Sequence, residues 1–175
     1  MMQELLDDKT YPMGKVNYVD FTKEVLYRSI IMVEAAPVKL RQRVSTLNAE
    51  ELELTYRDGG WCVRQIVHHL ADSHMNMWIR FKQTLTVDNF TIQPYNQNAW
   101  ANMEDYKTAS LESSLSIFEG VQHRFSALLK TMSEADFNRS YTHPEYNRQY
   151  TLAEATQLYA WHGLHHVAQI EGIFK

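Results

Sequence analysis

The apolar residues of this chain recur with a helical period over four long stretches, and breakers separate the stretches. That spacing excludes most other folds, because residues three and four apart share one face of a helix and no face of a strand. The first stretch runs from about Tyr18 to Leu47 through Phe21, Val25, Leu26, Ile30 and Val33. Pro37 is expected to break or kink it and to leave "VKLRQRVSTL" as a second piece. Asp58-Gly59-Gly60 marks a turn, and a second helix fits Val63 to about Leu85. A third fits Leu111 to Met132, and the last runs from Leu152 towards Lys175.

The segments between are shorter or irregular. Residues 1–16 carry Pro12 and Gly14 and no regular pattern. "TVDNFTIQPYNQNAWANMEDYKTA" is an extended connection, long for a compact domain, and such loops often carry function. "NRSYTHPEYNRQYT" reads as a short hairpin or loop around Pro144. No βαβ alternation, internal repeat or linker interrupts the pattern. The expected fold is therefore all-α, a four-helix bundle with a long crossover and a short hairpin insertion, forming one domain over 1–175.

Charge and composition narrow the partners. The net charge of −4 argues against nucleic acid, which calls for a basic face. No apolar run reaches the length of a membrane span, and the first residues lack the pattern of a secretory signal. With the single cysteine, Cys62, no disulfide can form within the chain. A reducing, cytoplasmic setting and a small-molecule substrate are the expectation.

Six of the eight histidines fall in two windows, "VHHLADSH" at 67–74 and "YAWHGLHHVAQI" at 159–170. His162 and His166 stand four apart on the inward stripe of the last helix, with His165 towards its edge. Two imidazoles so spaced can reach one ion, and the alternative is a pair of core histidines bonded to carbonyls or water. In the first window His74 sits in the middle of the apolar face. His69 lies on its flank in a row with Ser73, Asn76 and Arg80, and His68 lies on the side expected to face solvent. Helical phase nominates His69 or His74 and does not choose between them. Asp72 is a candidate acceptor for an imidazole N–H, or simply a solvated carboxylate. Arg80 and Asn76 are candidate anchors for a substrate carboxylate, or ordinary surface residues.

"YRDGGWCVRQIVHHLADSHMNMWIRFK" at 56–82 and "YAWHGLHH" at 159–166 resemble the metal-dependent hydrolases of the DinB/YfiT-like superfamily. The likeness extends to "YPMG", "TIQPYNQNAW" and "THPEYN", and it is strongest to the YfiT-type branch, which includes bacillithiol S-transferase-like proteins. The resemblance implies a four-helix bundle, commonly a homodimer, with a divalent metal held by three histidines. Those positions are His69, the histidine directly before Leu70, and the H-x-x-x-H pair His162 and His166. Where YfiT-type proteins can carry a further histidine inside the last segment, this chain has Leu164.

Imidazole donors suit zinc, nickel, copper and iron, with zinc or nickel the expected ion here. Three protein ligands leave a position open for water, which is the catalytic rather than the structural pattern. Hydrolysis by a metal-activated water is the first expectation. The second is transfer of a low-molecular-weight thiol activated by the same ion. A non-enzymatic, stress-related metal-binding bundle is the third.

Overall fold

The computed structural model describes residues 9–175, so the expectation for the first eight residues lies outside it. Its long helices are α1 (Lys23–Val44), α2 (Val63–Thr86), α5 (Leu111–Leu129) and α7 (Leu152–Ile173). Two short helices, α3 (Gln97–Ala101) and α4 (Asp105–Thr108), lie in the connection between α2 and α5. α6 (Glu134–Asn138) leads into an antiparallel hairpin of β1 (Ser140–His143) and β2 (Arg148–Thr151). The long connection is therefore not simply extended. It folds back on α2 through α3 and α4, and Ile92 N–H donates to the Thr142 carbonyl, which ties it to β1.

Local chemistry sets the helix ends. The Thr22 hydroxyl accepts from Val25 N–H at the start of α1. Thr151 and Glu154 close a reciprocal capping box at the start of α7. Gly59 takes φ +66°, in the left-handed region that glycine enters without steric cost, and it turns the chain into α2.

α1 packs on α7 and α5, and α2 packs on α5 and α7, so α1 and α2 face each other across the bundle. The core lies in two apolar clusters. One holds Val33, Met77, Phe81, Phe125 and Tyr159, and the other holds Ala36, Leu70, Phe118, Val167 and Ile170. On each long helix the chain passes from one cluster to the other within a few residues. The boundary falls between Val33 and Ala36 on α1, at His74 on α2, at Gln122 on α5, and at His162, Gly163 and His166 on α7.

Pro37 does not end α1. A proline inside a helix frees the carbonyl four residues back, here that of Val33, at a cost of about 3 kcal/mol. The Gln122 side-chain amide donates to that carbonyl at 3.3 Å, so the freed acceptor is paired from the neighbouring helix. This tertiary contact is what periodicity and proline rules cannot anticipate.

Gly163 allows α7 to approach α1 closely. A Cβ there would lie 2.9 Å from the Ala36 Cβ, inside van der Waals contact. Replacing Gly163 with Ala is expected to lower stability by about 1–3 kcal/mol through overpacking, read as a shift in the urea midpoint.

Candidate metal centre

Three rings converge at the level between the two apolar clusters. His69 comes from α2, and His162 and His166 from successive turns of α7. One ring nitrogen of each lies within 4.8 Å of the others. His69 Nε2 and His162 Nε2 are 3.4 Å apart. Ligand nitrogens about 2.0–2.1 Å from a tetrahedral ion stand about 3.4 Å from one another, so this pair has the spacing of two ligands on one metal.

Burial pushes the pKa of all three rings well below the ordinary histidine value, and the neighbouring imidazoles push it further. The rings are therefore neutral at physiological pH, which is the form that offers a lone pair to a metal.

The hydrogen bonds behind the rings decide which nitrogen carries that lone pair. Gln122 must present its NH2 to the Val33 carbonyl, because a carbonyl only accepts. Its Oε1 then faces His74 Nδ1 at 3.0 Å, so His74 donates from Nδ1. His74 Nε2, 3.2 Å from His162 Nδ1, must accept, so His162 donates from Nδ1 and keeps its lone pair on Nε2. His166 is set the same way. Gln169 donates through Nε2 to the Thr10 carbonyl at 2.9 Å, and His166 Nδ1 donates to Gln169 Oε1 at 2.8 Å. Each glutamine is pinned by a backbone carbonyl of another segment, and each directs one imidazole.

Among the residues weighed from the sequence, His74 is fully buried behind His162 and supports that ring. His68 is not solvent-facing. α4 and α5 cover it, and its Nδ1 lies 2.7 Å from the Ser114 hydroxyl. Asp72 serves no imidazole and accepts instead from the Tyr106 hydroxyl of α4. His165 is buried against the face of Trp161, with ring centroids 4.2 Å apart. Cys62 is buried at the start of α2, and burial raises its pKa, so it is a neutral thiol away from the three rings.

Two clefts meet at His162. The first, about 630 Å³, opens above all three histidines between Trp61, Arg57 and the segment around Tyr11. The second, about 420 Å³, runs from His162 to Arg80 and Ser73, under the long connection and the hairpin. Ser73 and Arg80 are thus cleft wall rather than solvated edge. Sequence reasoning did not single out Gln122 and Gln169. Gln122 had a signal: a polar residue on the apolar stripe between Phe118 and Phe125.

The family model for the DinB superfamily matches residues 32–170, and the chain belongs to that superfamily. It is 43% identical over 162 residues to "Putative metal-dependent hydrolase YfiT" of Bacillus subtilis, covering 92% of this chain and 91% of that protein. It is 39% identical over 169 residues to "Putative metal-dependent hydrolase OB0782" of Oceanobacillus iheyensis, covering 96% and 97%. The solved structure of Bacillus subtilis YfiT, described as "a probable metal-dependent hydrolase with an unusual four-helix bundle topology", superposes with a TM-score of 0.92 at 41% identity over 95% of both chains.

Two outcomes follow from the hydrogen-bonded rings. Replacing His74 with Phe removes the acceptor for His162 Nδ1–H and is expected to weaken metal binding by about 10–100-fold, measured by competition with a chelating dye. Without metal, acid should also unfold the protein. Burial holds His74 down to about 3. The unfolded chain takes up that proton near pH 6.5, so stability present at pH 7 is lost as pH falls from about 6.5 towards 3. The His74 share at pH 5 is about 2 kcal/mol, and urea titrations of metal-free protein at the two pH values read it.

Proposed function

We propose that this protein is an enzyme that holds a divalent ion, zinc or nickel, on His69, His162 and His166 and hydrolyses a small-molecule substrate in the clefts above it. The observation that carries this reading is the convergence of three neutral rings, two with their outward nitrogen set by hydrogen bonds, at the floor of an open cleft. Such an ion supplies Lewis acidity and brings the pKa of a coordinated water or thiol towards neutrality. The chain's own residues orient the ligands, exclude bulk water from behind them, and wall the cleft with Trp61 and Trp161. A purely structural ion would call for a closed fourth side, and the cleft that all three histidines line supports the catalytic reading instead.

A second reading, transfer of a low-molecular-weight thiol to an electrophile, is favoured by one observation. Two clefts share His162, which suits two small molecules meeting at one ion. Cys62 lies outside both clefts, so the thiol would come from the substrate.

A homodimer in the cytoplasm completes the reading. Tyr27, Ile31 and Val38 are exposed along one stripe of α1 that also carries the Glu34–Lys130 ion pair, and this stripe is the surface we assign to a second copy. No helix among the described residues is long and apolar enough to cross a membrane.

Replacing His162 with Ala is expected to abolish bound metal and lower turnover by more than about 100-fold. Metal content by plasma mass spectrometry that matches the wild type would overturn the ligand assignment. Metal-loaded protein is then offered amide and ester substrates, and separately small thiols with an electrophilic acceptor. Turnover of the first set with none of the second selects hydrolysis, and the reverse selects transfer.

A further inference from the structure

The second cleft contains a cation without an anion. Arg80 of α2 is half-buried, and its Nη1 donates to the Tyr159 hydroxyl at 3.0 Å. No carboxylate of the described residues lies within ion-pair distance of it; Arg28, Arg41, Arg64, Arg139 and Arg148 each have one, and Arg43, Arg57 and Arg124, which do not, lie over aromatic rings instead. A guanidinium carries five N–H groups, and a neutral phenol occupies one here. Taking a charge partly out of water without a partner costs free energy that a bound anion recovers.

The surroundings are donors too. The phenols of Tyr95, Tyr141 and Tyr159 line the cleft, and burial raises the pKa of each, to about 12 for Tyr95, so all three keep their hydrogens at neutral pH. The positive charge of Arg80 acts on all three phenols and on His143. His143, also in the wall, is buried and its Nδ1 has no hydrogen-bond partner. Glu145 is the carboxylate of this cleft, and it is exposed. The Tyr159 ring that holds Arg80 lies 5.9 Å from the His162 ring, so the free donors sit about one tyrosine from the metal site.

We propose that this cleft is an anion subsite of the reaction centre, in which Arg80, backed by Tyr95 and Tyr141, binds a carboxylate on the substrate and presents the rest of that molecule to His162. The proposal rests on the metal-site reading above and names the substrate class: a small molecule whose carboxylate stands a few bonds from the group that reacts. A guanidinium fork matches a carboxylate in two parallel hydrogen bonds. One cation with a glutamate nearby suits a monoanionic group better than a phosphate dianion. Arg57 in the first cleft is the competing anchor, since its buried Nε has no partner, but it sits in a turn, donates to its own neighbour's carbonyl at Asp58 and lies over the Tyr56 ring, so it serves as the control.

Binding of succinate, benzoate and inorganic phosphate is measured by calorimetry on metal-loaded and metal-free protein. We expect at least one carboxylate to bind both forms. Arg80→Gln should weaken that binding at least about 10-fold in both, with bound metal and melting temperature unchanged, and Arg80→Lys should recover part of it. Four results would each overturn the proposal: no saturable carboxylate binding, Arg80→Gln equal to the wild type, the loss appearing in Arg57→Gln instead, or phosphate bound more tightly than either carboxylate. An anion seated on the ion itself would show as binding abolished by metal removal and indifferent to Arg80. The metal content of the His162→Ala protein is a separate measurement, so failure of the metal site and failure of the anion subsite are told apart.

Discussion

A single run of hydrogen bonds crosses the bundle from the Val33 carbonyl through Gln122 and His74 to His162. The orientation of His162 depends on its direction. A carbonyl cannot donate, so the first bond orients the amide, the amide orients His74, and His74 leaves His162 with its lone pair turned towards His69. The run starts where Pro37 breaks the helical ladder of α1. A feature that would ordinarily weaken a helix supplies the acceptor that sets an imidazole through two intervening side chains, Gln122 and His74.

The polar level that contains this run separates two apolar clusters, and the separation explains its tolerance. Each buried polar group left without a partner would cost about 1–3 kcal/mol. Here the members satisfy one another, and the packing above and below keeps water out and the rings neutral. Low dielectric and neutral imidazoles suit a metal ligand and oppose a charged one. The same burial that lowers the histidine pKa values raises those of the surrounding tyrosines, so one environment yields both acceptors for a cation and donors for an anion.

The long connection and the hairpin lie outside the four long helices, yet they put Ile92 and Tyr141 into the first apolar cluster and form the outer wall of the second cleft. Tyr95 comes from the connection and Tyr141 from β1, and the Ile92–Thr142 hydrogen bond joins the two. His143 ends β1 in the same wall. The polar N-terminal segment is strung along α7 by two glutamines, Gln157 at Val19 and Gln169 at Thr10. The second of these also orients His166, so the segment outside the bundle takes part in the site.

The amino-acid sequence by itself determined the four long helical stretches, because apolar period and breakers are local. It also determined that His162 and His166 share a face, because four residues make about one turn. Phase along one helix could not choose between His69 and His74, since His74 lies in the middle of the inward face of α2 and His69 on its flank. The resemblance named His69, and the structure places it beside His162 with His74 behind. Only tertiary packing decided the continuity of α1 through Pro37, the burial of His68, the partner of Asp72 and the meeting of two clefts at His162. Each depends on a group delivered by another element far away in the chain, and such distances are closed by the packing of helices rather than by any local pattern.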